Sequence, residues 1–197
     1  DPNQPEPARA RMFNLNNFSG APRLSNWVAS VSDIEAAVAM APAGVGPITA
    51  ASRGDLSWQL TIPEDGKLLV LANGAYGQRL AKIAARLKIA LVVEDSGDLS
   101  PPDPVKLEQT LADDPTITHV ALVHGETTTG MLNPLDKIAP VVKAAGRVLI
   151  VDAMCTFGGV PLNVNQLEID FVISSANKCI QGVPGFGFIV AKRTVLE

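Results

Sequence analysis

The sequence predicts a three-layer α/β/α domain built on a mostly parallel sheet with one antiparallel strand. Three observations carry this. From Lys67 onward, short apolar and β-branched runs alternate with stretches of helical period. Each intervening stretch is long enough for a helical crossover, which is what parallel strands require. The last two apolar runs, Asp170 to Ser174 and Phe186 to Val190, have too little helix-forming chain between them for such a crossover, so the final strand is expected antiparallel.

In order, KLLVLAN (67–73) reads as a buried strand, and GQRLAKIAARL (77–87) as a helix with apolar residues at 80, 83, 84 and 87. IALVVE (89–94) is the next strand and VKLEQTLAD (105–113) the next helix, followed by the strand THVALVH (118–124). Asn133-Pro134 opens a third helix, LDKIAPVVKAAG, which ends on Gly146. RVLIVDA (147–153) is again a strand, and it stops at an acid, Asp152. Sheets of this kind bury both faces, hence the near-continuous apolar runs.

Upstream of Lys67 the pattern is weaker. Residues 1–26 are rich in proline and asparagine and read as a loose arm. Ser32-Asp33 with Glu35 resembles a capping box for a short helix over IEAAVAM, which stops at Pro42. The expected division is therefore an irregular arm and short helix over 1–40 and the α/β domain over 41–197, with no clear element from Ala41 to Asp65.

Composition narrows the function. A chain of 197 residues that is 47% hydrophobic and only 18% charged has the make-up of one well-buried core. A net charge of -4 with lysines and arginines scattered singly argues against a nucleic-acid surface. The longest apolar stretch, Ala36 to Ala51, is broken by Pro42, Gly44, Gly46 and Pro47, so no membrane span is expected. The two cysteines, Cys155 and Cys179, lack metal-ligand spacing and fit a reduced, cytoplasmic compartment. No metal site is expected. The first residue is Asp1 and the last, Glu197, follows a strand directly, so the chain reads as part of a longer protein.

Ligands of open parallel sheets collect beyond the carboxyl ends of the strands. The polar residues singled out here fall at such ends: Asn73 to Arg79, His124 to Gly130, Asp152, and Ser174 to Lys178. That convergence predicts one cleft. Lys178, set between apolar strands, is either a solvated surface amine or one desolvated enough to attack a carbonyl. Asp152 is either a turn acid or a carboxylate awaiting a cation. Tyr76, the only tyrosine, suits a rim, a core or a stacking platform.

VDAMCTFGG (151–159) and SSANKCIQGVPGFGF (174–188), together with NGAYGQR (73–79) and HGETTTG (124–130), resemble the class V aminotransferases, enzymes dependent on pyridoxal 5′-phosphate (PLP). The resemblance implies the large domain of that fold. It makes Lys178 the catalytic residue, bonded covalently to the cofactor and then shuttling a proton, and pairs Asp152 with the protonated pyridine nitrogen. By the same resemblance Tyr76 stacks on the ring, Thr128 contacts the cofactor's phenolic oxygen, and Ser175 and Asn177 bind the phosphate. Glu126 and His124 are implied as supports. The implied reaction moves the amino group of 2-aminoethylphosphonate to pyruvate, giving phosphonoacetaldehyde and L-alanine, in a homodimer. An alanine– or serine–glyoxylate reaction is the alternative, and a non-catalytic fragment is another. Where the family carries a Gly-Ser-Gly-Thr phosphate turn, this chain reads VASVSD (28–33), with Ser30 and Ser32 as partial substitutes. The family's small C-terminal domain, with its carboxylate-gripping arginine, has no counterpart before Glu197.

Overall fold

A computed structural model describes residue 62, residues 65–182 and 187–192, and residue 195. The arm, the capping box over Ser32 to Glu35, VASVSD and most of the GVPG bend lie outside the described residues, as does most of the boundary region before Lys67.

Six strands form one sheet: β1 (Lys67–Ala72), β2 (Ala90–Asp95), β3 (His119–Val123), β6 (Val148–Asp152), β7 (Phe171–Ser175) and β8 (Gly187–Ala191). Their order is β2-β1-β3-β6-β7-β8. The first five run parallel, and β8 runs antiparallel to β7, with Ser175 opposite Gly187. Helices α1 (Ala75–Arg86), α2 (Pro104–Asp113) and α3 (Leu135–Ala144) provide the first three crossovers, and the fourth, from β6 to β7, is a run of turns without a helix. The sheet and helices are as the alternation predicted.

Alternating residues of the strands supply two cores. Leu68, Val70, Ala121 and Ile150 pack with Leu80, Ala81 and Ala84 of α1. Leu69, Leu71, Val120, Leu122 and Leu149 face the other way, onto Leu107 and Leu111 of α2 and Ile138 and Val142 of α3. Helices thus cover both faces, as a sheet with no polar face demands. Burying one such leucine contributes on the order of 2 kcal/mol. Among the described residues no helix is long and apolar enough to cross a membrane.

Each helix end has a local cause. Asp103 caps α2 by accepting from the Val105 N–H at 2.9 Å, with Pro104 beside it at the first helical position. Gly146, at φ 68°, ends α3 and lets the Arg147 N–H reach the Val142 carbonyl at 3.0 Å. At the same place after α1 the chain has Lys88, which takes φ 60° without being glycine. At the start, α1 begins two residues earlier than its apolar period suggests, so Tyr76 lies in its first turn. One further feature goes beyond the sequence reading. The HGETTTG turn is bracketed by a two-residue ladder, β4 (Gly125–Glu126) against β5 (Met131–Leu132).

Candidate functional site

Because β1, β3, β6 and β7 are parallel neighbours, their carboxyl ends share one edge of the sheet. The residues that follow them are brought side by side although they lie far apart in sequence.

Asp152, the last residue of β6, is 8% exposed. Its Oδ1 accepts from the Met154 N–H at 2.9 Å, and no described cation stands within ion-pair distance. Burial raises its carboxyl from the ordinary 3.8 to about 6. The nearby Glu126 charge adds to the rise, while the Met154 N–H and the Arg79 guanidinium oppose it. A buried carboxylate short of a counter-charge favours a cation placed against it.

His124 begins the segment after β3. Its N–H donates to the Asp152 carbonyl at 2.8 Å, and its Nδ1 lies 2.9 Å from the Thr156 hydroxyl. Burial lowers its pKa, which favours the neutral imidazole. Two residues on, Glu126 is fully buried. Its carboxylate accepts from the backbone N–H groups of Tyr76 and Gly77, each at 3.1 Å, and from the Thr128 hydroxyl at 2.7 Å. The Thr128 hydroxyl also accepts from the Ala75 N–H at 3.2 Å. Tyr76 and Thr128 are thereby neighbours, both on the exposed side of this cluster.

Ser175 ends β7 and is 8% exposed, whereas Asn177 and Lys178 lie on the following turn, where residues 177–182 are all exposed. The turn is closed by bonds from Gln181 N–H to the Lys178 carbonyl and from Gly182 N–H to the Ala176 carbonyl, both 2.8 Å. It is tied to the loop after Asp152 by the Cys179 thiol, which reaches the Cys155 carbonyl at 3.0 Å. The partial desolvation of Lys178 expected from its flanking strands is not found. The strands end before the lysine, and although Gly158 and Gly159 lie against Ile180 and Cys179 of the turn, Lys178 itself is exposed. Lys178 makes no ion pair with Asp152, so the two ends of the site remain separate.

Sequence reasoning did not single out the asparagine pair beneath this cluster. Asn73 Nδ2 donates to Asn133 Oδ1 at 2.7 Å, and Asn133 Nδ2 returns a bond to Asn73 Oδ1 at 3.0 Å. Each looks in sequence like an ordinary turn residue, beside Gly74 and Pro134. Nor was Gly74 singled out for bulk. A Cβ there would lie 2.5 Å from Glu126 Cγ and 2.8 Å from the Thr128 hydroxyl. Among the described residues no group of three His, Cys, Asp or Glu side chains could hold a metal ion.

Known proteins resemble this chain in sequence and fold. The family profile described as Aminotransferase class-V matches residues 56–197. A second profile, described as Glyoxalase-like domain, matches residues 1–86 and overlaps the first. A 2-aminoethylphosphonate–pyruvate transaminase of Syntrophobacter fumaroxidans is 51% identical over 179 residues, covering 87% of this chain and 48% of the relative. One from Vibrio vulnificus is 60% identical over 136 residues, covering 69% of this chain and 37% of the relative. The chain therefore spans half or less of the length of these relatives. Among solved structures, pyridoxamine–pyruvate aminotransferase from Mesorhizobium loti superposes with a TM-score of 0.64 at 31% identity, over 68% of this chain and 34% of that one. Ureidoglycine–glyoxylate aminotransferase from Bacillus subtilis gives 0.64 at 28%, over 68% and 35%. With the class V profile spanning the whole described sheet and its strand-end cluster, this chain belongs to the class-V aminotransferase family.

Proposed function

We propose that this chain is the PLP-binding part of an aminotransferase that moves the amino group of 2-aminoethylphosphonate to pyruvate, giving phosphonoacetaldehyde and L-alanine, as a cytoplasmic homodimer. The observation that carries the reading is Asp152: a buried carboxylate at a central strand end, short of a counter-charge, with its carboxyl raised to about 6. A protonated pyridine nitrogen is the complement of such a group, and the donor set around it fits the rest of the cofactor. Relatives 51–60% identical that carry this transaminase name support the choice of donor and acceptor.

When bound, PLP supplies an aldehyde that captures amines and a ring that accepts electrons as the substrate carbon loses its proton. Asp152 holds a proton on the ring nitrogen and so keeps the ring electron-poor. The Lys178 Nζ, on its exposed turn, would hold the cofactor through its aldehyde carbon and would serve as the base that moves the substrate proton. The Tyr76 ring offers an apolar face beside the pyridine, and the Thr128 hydroxyl a hydrogen bond to its oxygen. Ser175 and Asn177 supply polar groups for the phosphate.

The test is spectroscopic. The purified 197-residue chain titrated with PLP is expected to develop a visible absorbance band that Lys178→Ala abolishes, and 2-aminoethylphosphonate is expected to bleach it. Bleaching by alanine or serine alone would replace the donor. No band at saturating PLP would overturn the cofactor reading.

A further inference from the structure

Glu126 has no solvent exposure and no cationic partner among the described residues, yet four donors converge on its carboxylate. Oε2 accepts from the N–H groups of Tyr76 and Gly77, each at 3.1 Å. Oε1 accepts from the Thr128 N–H at 3.2 Å and its hydroxyl at 2.7 Å. Tyr76 and Gly77 belong to the first turn of α1, which has no side-chain cap of its own because its N-cap is Gly74. The unpaired N–H groups and the positive end of the helix dipole suit an anion. The missing Cβ of Gly74 is what lets the carboxylate lie there.

Resting on the PLP reading above, we propose that Glu126 is the positioning residue of this site, its two side-chain oxygens fixing the Tyr76 turn and the Thr128 hydroxyl at one spacing. Its charge also faces Asp152. The other charged group that faces Asp152 is Arg79 of α1, and Met154 contributes an N–H. His124 contributes only its backbone N–H, while its ring is held by Thr156. Glutamine at 126 would keep the volume but offer a single acceptor oxygen. The Tyr76 N–H also lies 3.4 Å from Oε1, so one oxygen could keep that contact beside the Thr128 pair, but it cannot hold all four donors, and the Gly77 N–H would lose its acceptor. Aspartate keeps the charge and lacks the reach.

The experiment compares the wild-type chain with Glu126→Gln, Glu126→Asp and Thr128→Val. Without PLP, amide exchange at Tyr76, Gly77 or Thr128 is expected to accelerate about tenfold or more in Glu126→Gln, as loss of charge-assisted bonds implies. Exchange at Leu122 and Ile150 should stay unchanged. With PLP, Glu126→Gln is expected to bind about tenfold more weakly. The pH midpoint of its bound spectrum should fall, because the anion facing Asp152 is gone. Glu126→Asp should restore the midpoint but not the affinity, and Thr128→Val, which removes one arm only, should weaken binding with the midpoint unmoved. Wild-type exchange together with wild-type affinity and midpoint in Glu126→Gln would overturn the proposal. Absence of a PLP band in the wild type would instead overturn the cofactor reading, and the exchange rates alone would then decide whether Glu126 positions these groups.

Discussion

Asn73 and Asn133, sixty positions apart, exchange a reciprocal pair of amide hydrogen bonds in the interior, at 0% and 2% exposure. Asn133 Nδ2 also donates to the Val123 carbonyl at 2.7 Å. The pair clamps the end of β1 to the end of β3 and the start of α3. Replacing one member strands the other's donors and acceptor without water. Asn73→Ala and Asn133→Ala should each cost about 2–3 kcal/mol, and the double variant less than the sum. Urea denaturation of the three variants checks this; strict additivity would show that the two side chains do not act together.

Asp152 gives the fold a pH dependence of predictable sign. Its carboxyl titrates near 6 in the folded chain and near 3.8 when exposed. Between those values the folded state holds a proton that the unfolded chain has released. The group's contribution is therefore full below about pH 3.8 and is lost as pH rises through 6, amounting to roughly 3 kcal/mol. Asp152→Asn keeps an acceptor for the Met154 N–H and removes the charge. Without PLP it should be more stable than wild type at pH 8 and similar at pH 4, while no longer binding PLP tightly. Chemical denaturation at the two pH values decides it; equal stability at pH 8 would mean that the carboxylate is already neutralised there.

Gly74→Ala should be felt by the site more than by the fold. Its Cβ would sit 2.5 Å from Glu126 Cγ and 2.6 Å from Cδ, so the carboxylate must withdraw from the α1 N–H groups. Overpacking of this kind costs about 1–3 kcal/mol. Thermal melts measure that cost, and a PLP titration is expected to show weakened binding alongside it. A variant with unchanged affinity would show that the carboxylate can move without consequence.

Lys178→Ala should separate chemistry from folding. The side chain is exposed on a turn held by backbone bonds, so stability should change by less than about 0.5 kcal/mol. The visible band with PLP should vanish all the same. A large loss of stability would place this amine in a structural role that its exposure does not suggest.

The sheet was legible because its signal is local. Runs such as LLVLA (68–72) are apolar at every position, and the central ones, β1, β3, β6 and β7, became strands buried almost throughout, while the edge strand β2 stays largely exposed. The end of α3 was legible from Gly146, but the end of α1 was not, since Lys88 adopts the same left-handed turn without being glycine. The early start of α1 depends on an acceptor fifty residues away, Glu126, which no window of sequence contains. Asp152 was readable as a buried acid from the apolar run before it. Lys178 was misread in one respect, since apolar flanks say nothing about whether a turn lies under cover. The β4–β5 ladder is too short to leave an alternating pattern.

The strand order has a kinetic consequence. Among the described strands β1 and β2 are made first and pair, but the next must join on the opposite flank, and β6 and β7 extend the sheet outward from there. The four strand ends that bear Tyr76, Thr128, Asp152 and Lys178 therefore meet only after the parallel series is complete. A molecule lodged among them would act as a staple across the four central strands, and its departure would loosen pairings that it never touches.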